Sequence, residues 1–175
     1  METEQVNLII GKFSPFTNGH LQLCKDLFEH NGLKTFVVCI RRVKTENILS
    51  DELLKKMMNS MCKEYPELIA GWMDIESYYF SDVFLKVPEQ FEIKCIGCGC
   101  DREKDYKDMI THLVEDNVIN KNDVDLYVSN RSDGISATKL RDAIVANDET
   151  TIENMLPTNL YTCLVKFRKE FNIKE

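Results

Sequence analysis

The sequence predicts an α/β protein: a parallel five-stranded sheet flanked by helices, with a C-terminal helical segment over residues 150–175 of a single domain spanning residues 1–175. Three observations predict it. Short apolar runs alternate with stretches whose apolar residues recur every three or four positions, the pattern of strands joined by crossover helices. The runs read as strands buried on both faces of a sheet. The residues with phosphate-binding character fall in loops that follow strands, where ligands of such sheets bind.

VNLIIG (Val6 to Gly11) is the first strand, a buried apolar run ending in glycine. Gly19 to Asn31 carries Leu21, Leu23, Cys24, Leu27 and Phe28 at helical spacing, and Asn31-Gly32 supplies the stop. KTFVVCI (Lys34 to Ile40) is the second strand, rich in β-branched and aromatic residues. Ser50 then caps a helix whose first turn holds Asp51 and Glu52, where negative charge suits the helix dipole. Leu68 to Met73 is the third strand, and Glu76 to Val87 reads as a loop with a short helix. IKCIG (Ile93 to Gly97) is the fourth strand. Asp101 to Asn117 carries a helical stripe of Tyr106, Met109, Ile110, Leu113 and Val114. DLYV (Asp125 to Val128) is the fifth strand, followed by a loop and the helix opened by SATKLRDAI. Thr158 to Phe171 reads as a closing helix after a break at Pro157.

Composition narrows the function. The chain has 175 residues, 43% of them apolar, enough for an ordinary core. No apolar run is long enough to cross a bilayer, and the polar start METEQVN does not read as an export signal. A cytoplasmic location with no membrane partner is expected. The formal net charge of -7 argues against nucleic-acid binding, which needs a basic surface. A few cations focused in one cleft still suffice for a nucleotide. Seven cysteines, an odd number, many within apolar stretches, read as reduced thiols rather than a disulfide framework.

GKFSPFTNGH (Gly11 to His20) joins the first strand to the first helix. Gly11 and Gly19 permit tight turns and close approach of backbone to a ligand. Thr17 and His20, three apart at a helix entrance, can point the same way. A hydroxyl, an imidazole and free backbone N–H groups at the positive end of a helix suit a phosphate. In NRSDGISATKLRDAI, Ser136 is placed as an N-cap, and Thr138 and Arg141 share a helix face. Each segment alone reads equally as an ordinary capped helix start. Two anion-suited helix starts in one chain are hard to explain by coincidence.

Thr17-Asn18-Gly19-His20 and Ile135-Ser136-Ala137-Thr138-Lys139-Leu140-Arg141 together resemble the signatures (H/T)xGH and ISxTxxR of the nucleotidyltransferase superfamily. That group includes the nicotinamide mononucleotide and phosphopantetheine adenylyltransferases and the cytidylyltransferases, and the resemblance implies a Rossmann-like fold. GCGCDREKDY, with Asp101 and Arg102, is similar to the middle segment of several members. The resemblance implies that His20, Thr17 and Arg141 carry catalysis. His20 would stabilise charge building on the α-phosphate and on the leaving pyrophosphate, and Ser136, Thr138 and Arg141 would hold the β- and γ-phosphates. It further puts Gly11, Lys12, Phe13 and Gly19 at the nucleotide. Arg42, Lys44, Asp101 and Arg102 are candidates for the acceptor.

The implied reaction moves AMP from ATP to a small phosphorylated acceptor, with Mg²⁺ held mainly by the ATP phosphates and no protein metal ligand. Nicotinamide mononucleotide is the expected acceptor. The TNGH form points to phosphopantetheine, and a cytidylyltransferase is a third reading. A homo-oligomer is compatible with all of these. Two other classes compete. A nucleotide-binding regulator would keep the phosphate site without turnover. A metal or redox module would centre on Cys95, Cys98 and Cys100, although no fourth ligand lies near that triplet. Trp72 and the Tyr78-Tyr79-Phe80 cluster could stack on a base, but core packing is the commoner fate of aromatics.

Overall fold

A computed structural model of the chain describes residues 2–41, 49–76, 79–130 and 135–173. The five apolar runs form strands β1 (Glu4–Gly11), β2 (Thr35–Ile40), β3 (Ile69–Ile75), β4 (Phe91–Gly99) and β5 (Asp125–Ser129). All pair in parallel, in the order β3-β2-β1-β4-β5. The helices are α1 (Asn18–Asn31), α2 (Asp51–Glu64), α3 (Phe80–Lys86), α4 (Glu103–Glu115), α5 (Ala137–Ala146), α6 (Glu149–Met155) and α7 (Leu164–Ile173). No helix among the described residues is long and apolar enough to cross a membrane.

Alternation along the strands divides the core into two layers. Val6, Leu8, Phe36, Val38 and Ile96 face one side, where Val83 of α3 and Met109 and Leu113 of α4 cover them. Ile9, Val37, Cys39 and Cys95 face the other, against Leu27 of α1, Met57 of α2, Leu140 of α5 and Phe167 of α7. Fully buried side chains such as Leu8, Leu27, Leu140 and Phe167 each stabilise the fold by roughly 1.5–3 kcal/mol.

The helix boundaries follow from their caps. Gly32 ends α1 at φ 73°, its N–H donating to the Phe28 carbonyl at 2.7 Å. Ser50 Oγ accepts from Leu53 N at 3.3 Å to start α2, and Ser136 Oγ accepts from Lys139 N at 3.0 Å to start α5. Three expectations need correcting. β4 is longer at both ends than Ile93 to Gly97, because it pairs with β1 from Phe91 and with β5 up to Gly99. The segment from Asp101 to Asn117 opens with a 3₁₀ turn, Cys100–Arg102, before α4. The closing segment is a 3₁₀ stretch, Thr158–Cys163, followed by α7, with the short helix α6 ahead of Pro157.

Candidate active site

Strand order reverses between β1 and β4, so the chain leaves their carboxyl ends in opposite directions and opens a crevice there. A cleft of about 570 Å³ occupies that position. Ile9 to Gly11 of β1 and Gly97 to Gly99 of β4 line it, together with Lys12, Phe13, Ser14 and His20 of the first loop and helix. Thr138 and Arg141 of α5 line it as well, as do Arg102, Phe80 of α3 and Tyr106 of α4. The two chain segments with phosphate-suited helix starts therefore share one cavity.

Arg141 joins them directly. Its Nη1 donates to the Ser14 carbonyl oxygen at 2.8 Å and its Nη2 to Thr138 Oγ1 at 3.1 Å. Its other guanidinium N–H groups meet no acceptor among the described residues and can serve a ligand. Burial lowers its pKa from the usual value, which leaves an arginine charged in any physiological medium.

His20 is held from three directions. Its backbone N donates to Thr17 Oγ1 at 3.3 Å, while Thr17 N donates back to His20 Nδ1 at 2.9 Å, forming a capping box. Phe13 packs edge-on against the imidazole at 4.7 Å between centroids, and Phe16 tilts against it at 5.2 Å. Burial lowers the imidazole pKa to about 4. Phe13 reaches this position with φ at 50°, a left-handed backbone unusual for a bulky residue. Gly11 accommodates it, since a Cβ there would meet the Phe13 ring at 3.4 Å.

Several residues expected at the site are not among those that line the cleft. Thr17 is 3% exposed and turned inward, its hydroxyl engaged by the His20 backbone and 3.2 Å from Nδ1, so it supports the imidazole from behind. Gly19 and Ser136 are not among the residues that line the cleft; Ser136 Oγ serves the α5 cap. Asp101 is exposed outside it, while Arg102 lines it. Arg42, Lys44 and Tyr78 lie outside the described residues. The neighbouring Arg41 is engaged structurally, with Nη2 donating to the Leu49 carbonyl at 2.6 Å and Nη1 paired with Asp51. Trp72 donates to Asn59 Oδ1 at 2.9 Å and packs beside the core.

Phe80, Tyr106 and Cys98 form one wall of the cleft; the sequence offers Phe80 for stacking and Cys98 within the cysteine triplet, but not Tyr106 as a site residue. Phe80 and Tyr106 tilt together at 5.7 Å between centroids. Tyr106 belongs to a stripe that reads as core, and its hydroxyl is pushed up to about 12 by burial. Burial, then the carboxylates of Glu103 and Asp101, push the Cys98 thiol up to about 11. A thiol of that kind is a poor nucleophile. The three cysteines of the triplet diverge: Cys95 is in the core, Cys98 lines the cleft and Cys100 is exposed. Among the described residues no three His, Cys, Asp or Glu side chains gather to hold a metal.

The cleft thus offers three cations (Lys12, Arg102 and Arg141), an imidazole and the start of α5, with a tyrosine and a phenylalanine on its wall. It offers no activated nucleophile among the described residues. Such a site can bind and orient phosphates and stabilise charge developing on them.

A family model described as cytidylyltransferase-like matches residues 8–143. No curated protein matches the chain in sequence. Among solved structures, a Vibrio parahaemolyticus protein assigned as a nicotinate-nucleotide adenylyltransferase is similar with a TM-score of 0.66 at 14% identity, over 95% of this chain and 97% of that one. The Plasmodium falciparum nicotinic acid mononucleotide adenylyltransferase complexed with NaAD is similar with a TM-score of 0.67 at 14% identity, over 98% and 97% of the two chains. The same enzyme complexed with APC gives 0.66 at 15% identity, over 98% and 97%. At such identities these likenesses speak for the fold.

Proposed function

The chain belongs to the cytidylyltransferase-like family, and on that premise we propose that this nucleotidyltransferase moves AMP from Mg-ATP to a pyridine mononucleotide. A phosphate oxygen of the acceptor attacks the α-phosphorus of ATP. The bond from that phosphorus to the bridging oxygen of the β-phosphate breaks, and pyrophosphate leaves with both electrons of that bond. The products are a dinucleotide and pyrophosphate. The single observation that carries the reading is the shared cleft: His20 and Arg141, 121 positions apart in sequence by their numbers, line one cavity at the carboxyl ends of β1 and β4.

The residues present suit that chemistry. Lys12, Arg102 and Arg141 supply positive charge for the triphosphate, and Arg141 keeps a fixed orientation through Ser14 and Thr138. Free N–H groups at the start of α5 add the positive end of a helix dipole. His20 faces the same space and can donate to an α-phosphate oxygen. No step needs a covalent enzyme intermediate, which accords with the raised thiol of Cys98. A well-placed donor of this type contributes about 100- to 1000-fold in rate.

Mg²⁺ would arrive with the nucleotide. No carboxylate lines the cleft among the described residues, so phosphate oxygens and water would supply its ligands, in keeping with its reluctance to dehydrate. Bound there, it would neutralise charge on the triphosphate.

Nicotinamide mononucleotide is the proposed acceptor, with the nicotinate form next. The fold likeness to the two nicotinate-nucleotide enzymes favours a pyridine ring, and Phe80 and Tyr106 offer it an aromatic wall. Pyrophosphate release from ATP and CTP, measured against nicotinamide and nicotinate mononucleotides and phosphopantetheine, tests the proposal. Turnover with ATP and a pyridine mononucleotide is the expected result. Turnover only with phosphopantetheine or only with CTP would replace the substrates. ATP binding with no turnover on any acceptor would favour a regulator.

A further inference from the structure

The capping box at the start of α1 is more than a helix cap, because one of its two acceptors is the imidazole itself. A backbone N–H can only donate, so the 2.9 Å contact from Thr17 N requires a lone pair on His20 Nδ1. A hydrogen on Nδ1 would point at the hydrogen already on Thr17 N. The ring proton must then sit on Nε2. The Thr17 hydroxyl, 3.2 Å from Nδ1, can also donate to it while accepting from His20 N. Phe13 at 4.7 Å and Phe16 at 5.2 Å between centroids pack against the half-buried imidazole and displace water from those sides of it, which disfavours a charge there.

We propose that Thr17, Phe13 and Phe16 are positioning residues that hold His20 as a neutral ring carrying its proton on Nε2. His20 then contributes one directed hydrogen bond to the nucleotide's phosphates rather than a positive charge. The inference takes its purpose from the proposed function, but its geometry stands without it.

The surroundings act in the same direction. Among the described residues, the charged and titratable groups sharing the cleft are Lys12 on the first loop, Cys98 on β4, Arg102 before α4, Tyr106 on α4 and Arg141 on α5. Three of these are cations and none is a carboxylate, so none of them favours an imidazolium. Burial alone carries the imidazole to about 4. Division of labour follows: the cations Arg141, Lys12 and Arg102 supply charge, and His20 supplies direction.

Long-range ¹H–¹⁵N spectra of protein carrying ¹⁵N-histidine separate the two tautomers and the imidazolium. The spectrum of His20→Gln identifies the His20 signals among the chain's three histidines. The expected result between pH 8 and pH 5 is a bare Nδ1 and a protonated Nε2. A proton on Nδ1, or a doubly protonated ring at pH 6, would overturn the inference. Phe16→Leu, with unchanged signals from the other histidines as the check on folding, should raise the His20 titration midpoint by about one unit; an unmoved midpoint would remove Phe16 from the account. Where turnover is measurable, His20→Gln keeps a neutral donor and should retain at least about ten times the rate of His20→Ala, and equal losses would contradict a hydrogen-bonding role. A protein with the expected tautomer and no nucleotidyl transfer would leave this inference standing and overturn the proposed function.

Discussion

Arg141 Nη1 donates to the carbonyl oxygen of Ser14 at 2.8 Å, tying the start of α5 to the loop after β1 across 127 positions of chain. One side chain thus fixes the shape of the cleft and supplies a cation to it. Nη2 is engaged by Thr138 at 3.1 Å, so the guanidinium plane is set before any ligand arrives.

Arg141→Lys should therefore be a poor replacement. A lysine can point at phosphate or at Ser14, with no fork to serve both. Arg141→Ala is expected to lower kcat/KM for ATP about 100- to 1000-fold, with Arg141→Lys recovering little of it. Steady-state pyrophosphate release measures both, and near-normal turnover in the lysine variant would show that the fork is not needed.

The half-buried imidazole makes stability depend on acid. In the folded chain burial lowers the His20 imidazole pKa to about 4, from its usual value of 6.5. Above pH 6.5 both states leave it neutral and it contributes no pH dependence. Below pH 6.5 the unfolded chain takes up a proton that the folded chain refuses, so stability falls as pH drops from 6.5 toward 4. Between pH 6.5 and 5 this loss amounts to about 2 kcal/mol at most. Urea unfolding of wild type and His20→Gln at pH 7.5 and 5 isolates it from the acidic residues, and the wild type should lose more. Parallel losses would remove the burial argument.

Gly97 lets α1 lie close to β4. A Cβ at that position would sit 2.7 Å from Cδ1 and 3.3 Å from Cγ of Leu27, which is fully buried. Gly97→Ala should destabilise the fold by about 1–3 kcal/mol, read by denaturant unfolding. Unchanged stability would mean that α1 shifts freely on the sheet.

Glu170 of α7 accepts from Ser50 N at 2.8 Å and from Ser50 Oγ at 2.9 Å, so the closing helix caps α2. Glu170→Ala should lower stability by about 1 kcal/mol, the usual worth of a cap, with little change in turnover because Glu170 does not line the cleft. A thermal melt alongside the pyrophosphate assay checks both halves.

Legibility in the sequence followed the range of the interactions involved. The strand runs and the caps at Thr17, Ser50 and Ser136 are local and readable, since spacing sets which face a residue takes. The pairing of His20 with Arg141 rested on motif resemblance, and the geometry puts both on one cleft. Spacing could not reveal that Thr17 turns inward while His20 faces out, because a capping box and a shared ligand both need residues three apart. Nor could it separate Tyr106, at the cleft, from Met109 and Leu113, in the core, on one α4 stripe. The Ser14 carbonyl left no sequence signal, since every residue carries one. The left-handed turn at Phe13 is set by packing against Phe16 and His20, which lie further along the chain.

Where the triphosphate lies is the most direct question. A crystal structure with Mg²⁺ and a non-hydrolysable ATP analogue should find phosphate oxygens within hydrogen-bonding reach of both His20 Nε2 and the Arg141 guanidinium, at the carboxyl ends of β1 and β4. An analogue bound at another surface, or one seated in the cleft with those two side chains turned away from its phosphates, would contradict the account.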